Sequence, residues 1–246
     1  MAANDTHAAL FETLLVFDGQ AVELERHLER LTGSVQELYG AEPPAVLARN
    51  AAEAATGQEL ARMRIDVAAG EDGALAHTIV VTPLDPAIFF PPRSRGAALR
   101  SVLAPGGSGQ HKFAERGLIE RFERELGDEV PLMVDSDGDV LEAGRANVFA
   151  VLGGRLATPP TDGRILAGTT RALVLELAAE LGIEATERTL SVADLHAADE
   201  VFLTSSLRGI RPARLLDGEE LGISEAVSGA LAAALRERWL GAGALS

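Results

Sequence analysis

Cysteine is absent from the 246 residues, which excludes disulfides, thiolate catalysis and the usual zinc and iron–sulfur ligand sets. A cytoplasmic location is the simplest expectation. Positive charge is also scarce. The 37 acidic and 22 basic residues leave a formal net charge of −15, which argues against nucleic acid or an anionic membrane surface as the partner. A small anionic molecule remains admissible, because a few local arginines can dominate a pocket. No apolar run approaches the roughly 18 residues of a membrane span, and Met1–His7 lacks a basic region followed by an apolar core, so neither membrane insertion nor secretion is expected. The five histidines, at 7, 27, 77, 111 and 196, show no helical metal-ligand pairing, and no metal site is expected. Gly106-Gly107-Ser108-Gly109-Gln110 lacks the last glycine of a nucleophile elbow, and no glycine-rich nucleotide fingerprint is present.

What the chain has is 47% hydrophobic residues, enough for a substantial core, and one lysine, Lys112, among basic residues that are otherwise all arginine. Arginine keeps its charge at any practical pH, whereas burial can tune a lysine into a nucleophile. Thirty residues further on, Glu142 lies in the run Val140-Leu141-Glu142-Ala143-Gly144-Arg145-Ala146-Asn147-Val148-Phe149. A lysine and a carboxylate are what pyridoxal phosphate (PLP) requires. The amine bonds the cofactor aldehyde, and the carboxylate keeps the pyridine nitrogen protonated so that the ring accepts carbanion electrons. Taken alone, Glu142 closes an alternating strand and reads equally as an ordinary exposed residue.

Two polar loops offer places for a phosphate. Gly168-Thr169-Thr170-Arg171 precedes an amphipathic helix, so hydroxyls and unpaired backbone N–H groups gather at the positive end of its dipole; simple N-capping is the bland alternative. Thr204-Ser205-Ser206 is the second, and its serines could equally do no more than solvate a turn.

Periodicity outlines an α+β chain. Residues 9–17 read as a strand, Asp18-Gly19 as a turn, and Leu28, Leu31, Val35 and Leu38 as one face of a helix ending near Gly40. A helix over 44–56 and strands over 61–69 and 74–82, joined by the Gly70–Gly73 turn, complete a first lobe. Residues 83–96 hold four of the eleven prolines and are the expected joint between lobes. After a strand at 97–103, Lys112 is placed at the start of a helix carrying Leu118, Ile119, Phe122 and Leu126 on one face. Strands at 130–134, 139–142, 147–152 and 155–158 read as an antiparallel meander. A helix over 169–181 with Leu173, Val174, Leu177 and Leu181 on its apolar side, strands near 186–190 and 200–204, and a helix near 223–239 finish the chain. The expected domains are 1–96, an N-terminal α+β lobe with the linker at 83–96, and 97–246, a lobe carrying the cofactor site.

These segments, in this order, resemble the class IV aminotransferase family, PLP fold type IV. The resemblance runs from Phe11-Glu12-Thr13-Leu14 through His27-Leu28-Glu29-Arg30-Leu31 to Glu200–Thr204 and the Pro212–Gly218 segment. It implies an α/β (α+β), two-lobe fold of the D-amino acid and branched-chain aminotransferase kind, with the cofactor between the lobes, and a homodimer acting on a small-molecule amine. It further implies that Lys112 bonds the cofactor and serves as catalytic base, that Glu142 meets the ring nitrogen, and that Arg30, Thr169, Thr170, Ser205 and Ser206 surround the phosphate, with Thr170 and Ser206 the closer matches. Arg145, Arg208 and Arg211 are candidates for substrate carboxylates.

Within the family, Gly109–Arg116 looks most like the aminodeoxychorismate lyase branch, which releases 4-aminobenzoate and pyruvate. Transaminase members commonly place a tyrosine five positions after the lysine, where this chain has Gly117, and Tyr39 is the only tyrosine. Amino-group transfer of the branched-chain or D-amino acid type is the alternative reaction. Members also carry a longer segment ahead of Phe-Glu-Thr than is found here, which motivates a further alternative, a cofactor-free scaffold on the same fold.

Overall fold

The structure is a computed structural model and describes residues 9–70 and 72–241. Met1–His7, read above for a leader, and Glu71 of the Gly70–Gly73 turn lie outside the described residues. The chain divides into two compact units: the described residues up to Pro86 together with His111–Arg116, and Ala87–Gln110 together with Gly117 onward.

In the first unit the order is β1 (Leu10–Phe17), β2 (Gln20–Ala21), α1 (Leu24–Tyr39), α2 (Leu47–Ala55), β3 (Leu60–Ala69) and β4 (Leu75–Pro83). The strands form an antiparallel sheet ordered β2-β1-β3-β4. Asp18 and Gly19 both adopt positive φ, the conformation that lets a two-residue hairpin follow the strand twist. Alternation along β3 sends Ala61, Met63, Ile65 and Val67 into the core, where Leu31 and Val35 of α1 and Ala51 and Ala55 of α2 meet them. Burying each of the larger apolar side chains is worth about 1.5–3 kcal/mol. The helix expected from 44 begins at Leu47, after a turn over Ala45 and Val46 closed by the Leu47 N–H donating to the Pro44 carbonyl at 2.9 Å.

The proline-rich stretch carries one-turn 3-10 helices at Pro86–Ile88, where the first unit ends, and at Arg93–Arg95 in the second. The second unit continues with β5 (Ala97–Leu103), α3 (Gly117–Leu126), β6 (Val130–Val134), β7 (Asp139–Ala143), β8 (Ala146–Leu152), β9 (Arg155–Thr158) and α4 (Thr169–Glu180). The last elements are β10 (Ala185–Glu187), β11 (Leu190–Ser191), α5 (Val192–Ala197), β12 (Glu200–Ser205), β13 (Gly209–Leu216), β14 (Glu219–Glu220) and α6 (Ala226–Leu240). The sheet runs β10-β9-β8-β12-β13-β5-β6-β7-β11, with β14 on β13 and an additional pairing of β8 with β7. That pairing closes the strands from β8 round to β7 into a ring, which leaves them no open edge.

The run β6 to β9 is the antiparallel meander expected, while β5 pairs parallel with β6 and β13. Strand β13 was not anticipated, and the single strand expected near 186–190 is two: β10, parallel to β9, and β11, antiparallel to β7. One face of the ring packs Leu99, Leu132, Ala143, Val148, Val201 and Leu203. On β8 and β12, Phe149 and Phe202 stack with centroids 5.1 Å apart. Among the described residues no helix is long and apolar enough to cross a membrane.

Candidate active site

In the first unit the chemistry gathers around Glu12, a carboxylate on β1 that is only 1% exposed. One turn of α1 presents His27 and Arg30 to it, three residues apart and so on the same helix face. Arg30 grips the carboxylate with two donors, Nε to Oε1 at 2.7 Å and Nη2 to Oε2 at 2.6 Å, and His27 Nδ1 lies 2.7 Å from Oε2. Burial alone would raise the Glu12 pKa, but the charges of Arg30, His27 and Lys112 outweigh it and hold the group well below the usual carboxylate range. His27 is shifted down, because burial disfavours its cation more strongly than Glu12 favours it.

Lys112 reaches this cluster through backbone pairing. The N–H of Phe11 donates to the Lys112 carbonyl at 2.9 Å, that of Ala114 donates to Ala9 at 2.7 Å, and Phe113 bridges Leu10. Lys112 therefore lies in an extended segment against β1, and the helix it was expected to start begins only at Gly117. Its Nζ is 5.2 Å from the Phe11 ring centroid, and Arg64 covers the same ring at 4.0 Å.

In the second unit Glu142, the last residue but one of β7, lies opposite Asn147 of β8, and at 2% exposure it is no surface residue. Ser108 Oγ donates to its Oε1. The loop that brings Ser108 there needs glycine. Gly107 has φ +71°, and a Cβ on it would fall 2.0 Å from the Arg164 carbonyl oxygen. Arg164 ties the surroundings together through Asp135 (3.0 Å), Asp139 (2.9 Å) and Asp162 (2.7 Å). The backbone N–H of Gly106, together with Arg164, keeps Asp135 below the ordinary carboxylate range.

Thr169 and Thr170 are the first, buried residues of α4. The N-cap is Gly168, which makes no side-chain cap, so capping does not account for the threonines. Gly168 sits tight against β8: a Cβ there would be 2.0 Å from Asn147 Oδ1, and the Asn147 amide donates to the Leu166 carbonyl at 2.9 Å. Ser206 follows β12 and brings its hydroxyl to 3.4 Å from that of Thr169, so the two loops read as phosphate sites converge. On β12, Thr204 Oγ1 is buried without a hydrogen-bond partner among the described residues. Ser205 instead lines a cavity with Arg145, Arg208 and Arg211.

Glu12, Ser108 and Arg164 were not among the expected site residues. Glu12 had a signal, since it stands in the Phe-Glu-Thr segment; Ser108 and Arg164 had none.

This donor set suits PLP. In the second unit the clustered hydroxyls, the buried Thr204 Oγ1 and the N-terminus of α4 suit a phosphate and the buried Glu142 suits a pyridinium; in the first unit Lys112 suits an aldehyde. Such groups are the kinds of residue that a PLP-dependent enzyme acting on amines requires. Residues 9–216 match the family described as amino-transferase class IV, and the chain belongs to that family, with PLP as its cofactor and PLP fold type IV as its fold.

Among curated relatives the chain is 31% identical to the bifunctional aminodeoxychorismate lyase / D-amino acid transaminase of Mycobacterium tuberculosis, over 86% of this chain and 83% of that protein. It is 38% identical to the branched-chain-amino-acid aminotransferase of Escherichia coli K12 over a shorter stretch, 43% of this chain and 34% of that one. Among solved structures, a hypothetical aminotransferase from M. tuberculosis in its PLP-bound form superposes with a TM-score of 0.83 at 26% identity, covering 95% of this chain and 89% of the other.

Proposed function

We propose that the protein is a lyase converting 4-amino-4-deoxychorismate to 4-aminobenzoate and pyruvate. The observation that carries this reading is the residue five positions after Lys112: the exposed Gly117, where transaminases of the family commonly place a tyrosine. The M. tuberculosis relative, similar over most of both chains, supports it by the first half of its name.

PLP, when bound, supplies an electron sink for the carbon bearing the substrate amine. Lys112 Nζ takes the proton from that carbon. The bond between the neighbouring carbon and the enolpyruvyl oxygen breaks, the ring becomes aromatic, and a proton delivered to the departing enolate completes pyruvate. Glu142, hydrogen-bonded by Ser108, would be the carboxylate partner of the ring nitrogen. Thr169, Thr170 and Ser206 would hold the cofactor's phosphate, with the α4 N-terminus behind them. Arg30, whose guanidinium plane is set by its double contact with Glu12, would add a cation to the phosphate's partners.

The test is to mix the PLP-loaded protein with enzymatically generated aminodeoxychorismate. Equal amounts of 4-aminobenzoate and pyruvate, released without any 2-oxo acid, are expected. Amino-group exchange between an amino acid and a 2-oxo acid with no 4-aminobenzoate would establish instead the second half of the relative's name, a transaminase.

A further inference from the structure

Arg145, Arg208 and Arg211 line one cavity of about 310 Å³, wholly within the second unit. That volume is at the small end of ligand pockets. Ala143, Leu203 and Ser205 also line it. Neighbouring residues on a strand point to opposite faces, so the cavity lies on the face of the ring away from Glu142 and Thr204. It is therefore separate from the phosphate-binding hydroxyls, although Ser205 and Ser206 are adjacent.

The three arginines are not equivalent. Arg145 is already spent on Glu123, with contacts of 2.8 and 2.9 Å. Arg208 and Arg211 have no ion pair among the described residues, and Arg211 Nε is buried without a hydrogen-bond partner. Of the other acids lining the cavity, Glu129 pairs with Arg100 at 3.0 Å and Asp128 is exposed. Burial and the neighbouring Arg208 both make the Arg211 cation less favourable.

Two like charges set side by side and half-buried repel each other and lose part of their solvation. In a chain with net charge −15 their persistence without a carboxylate calls for an anion from outside. The loop is also rigid. The Phe90 N–H donates to the Arg208 carbonyl at 3.0 Å, and Gly209, at φ +63°, lies so flat on the Phe90 ring that a Cβ would come within 2.5 Å of it.

We propose that Arg208 and Arg211 bind a small organic carboxylate in this cavity, with the Ser205 hydroxyl as a further donor. Planar guanidinium forks match a carboxylate with two parallel N–H bonds. The site stands whichever reaction the enzyme performs. Its occupant is either a carboxylate of the amine substrate or a free carboxylate, and the kinetics separate the two.

Succinate is the probe, titrated calorimetrically into the PLP-loaded enzyme at constant ionic strength. Saturable binding is expected, weakened about 10-fold or more by Arg208→Met or Arg211→Met, the loss that follows from removing a charge-assisted hydrogen-bonded contact. If the same substitutions raise KM and succinate competes with the amine, the carboxylate is the substrate's own; if KM is unchanged, it is a separate ligand. Melting temperature gives a second readout: succinate should raise that of the wild type and leave that of Arg211→Met where it was. Absence of saturable binding to the wild type, or equal binding and equal thermal response in both variants, overturns the proposal.

Discussion

Replacing Glu12 by glutamine tests whether the first-unit cluster is a buried ion network. Glu12 is 1% exposed and the Arg30 side chain 12%, so the pair lies in the interior, where removing one partner strands the other charge. Such a loss costs roughly 3–5 kcal/mol. Glutamine keeps one carbonyl acceptor, which favours the lower end, about 3 kcal/mol. For a chain of this size each kcal/mol lowers Tm by about 2–4 °C, so a fall of about 6–12 °C at pH 7 is expected in thermal melts followed by far-UV circular dichroism.

The pH dependence gives a second signature. The folded Glu12 pKa is depressed, so its contribution is fully present above the unfolded value of about 4.3 and is lost as pH falls toward the folded one. The gap between wild type and Glu12→Gln should therefore narrow below about pH 4. Adding Arg30→Met to the variant should recover part of the loss, because the stranded guanidinium is then gone. A difference under about 0.5 kcal/mol at pH 7, the range of an ordinary surface change, would refute the network.

Two further outcomes concern the cofactor. Borohydride reduction of the PLP-loaded protein followed by peptide mapping should place the cofactor mass on the peptide containing Lys112; recovery of all reduced cofactor free of protein would count against it. Glu142→Gln should retain cofactor while losing turnover; Arg30→Ala, which also strands the buried Glu12 and so lowers Tm, should weaken cofactor retention at temperatures where the variant is still folded. Equal loss of cofactor in both would show that the two residues do not divide the roles in this way.

How legible these sites were in the sequence depended on how local their causes are. The α1 face was readable because Leu31 and Val35 recur at helical spacing and are buried by neighbours in the same unit. Periodicity placed Lys112 in a helix because Ile119 and Phe122 do form an amphipathic face, while the competing cause, pairing of Phe113 with Leu10, comes from a segment a hundred residues away. Leu181 was read into the apolar side of α4 but falls beyond the helix and is 48% exposed. Strand β13 was hidden by Gly209, Pro212 and two arginines, which blur alternation; its partners, β12 and the parallel β5, establish it from outside.

The same distinction explains why the residues proposed for the cofactor were easier to find than the groups that hold them. Lys112 and Glu142 announce themselves by residue type, since the chemistry tolerates few substitutes. Their supports can be drawn from anywhere the fold supplies a donor or acceptor: Ser108 comes from a loop of positive-φ glycines, and Arg164 reaches Asp135 and Asp139 from the far side of a meander. Glu12 lies between the two cases. Its segment was recognisable, but its role became visible only when α1 set His27 and Arg30 against it. A charged residue buried on a strand makes structural sense only with its counter-charges, and those are a property of the packing of helix on sheet, not of the strand's own pattern.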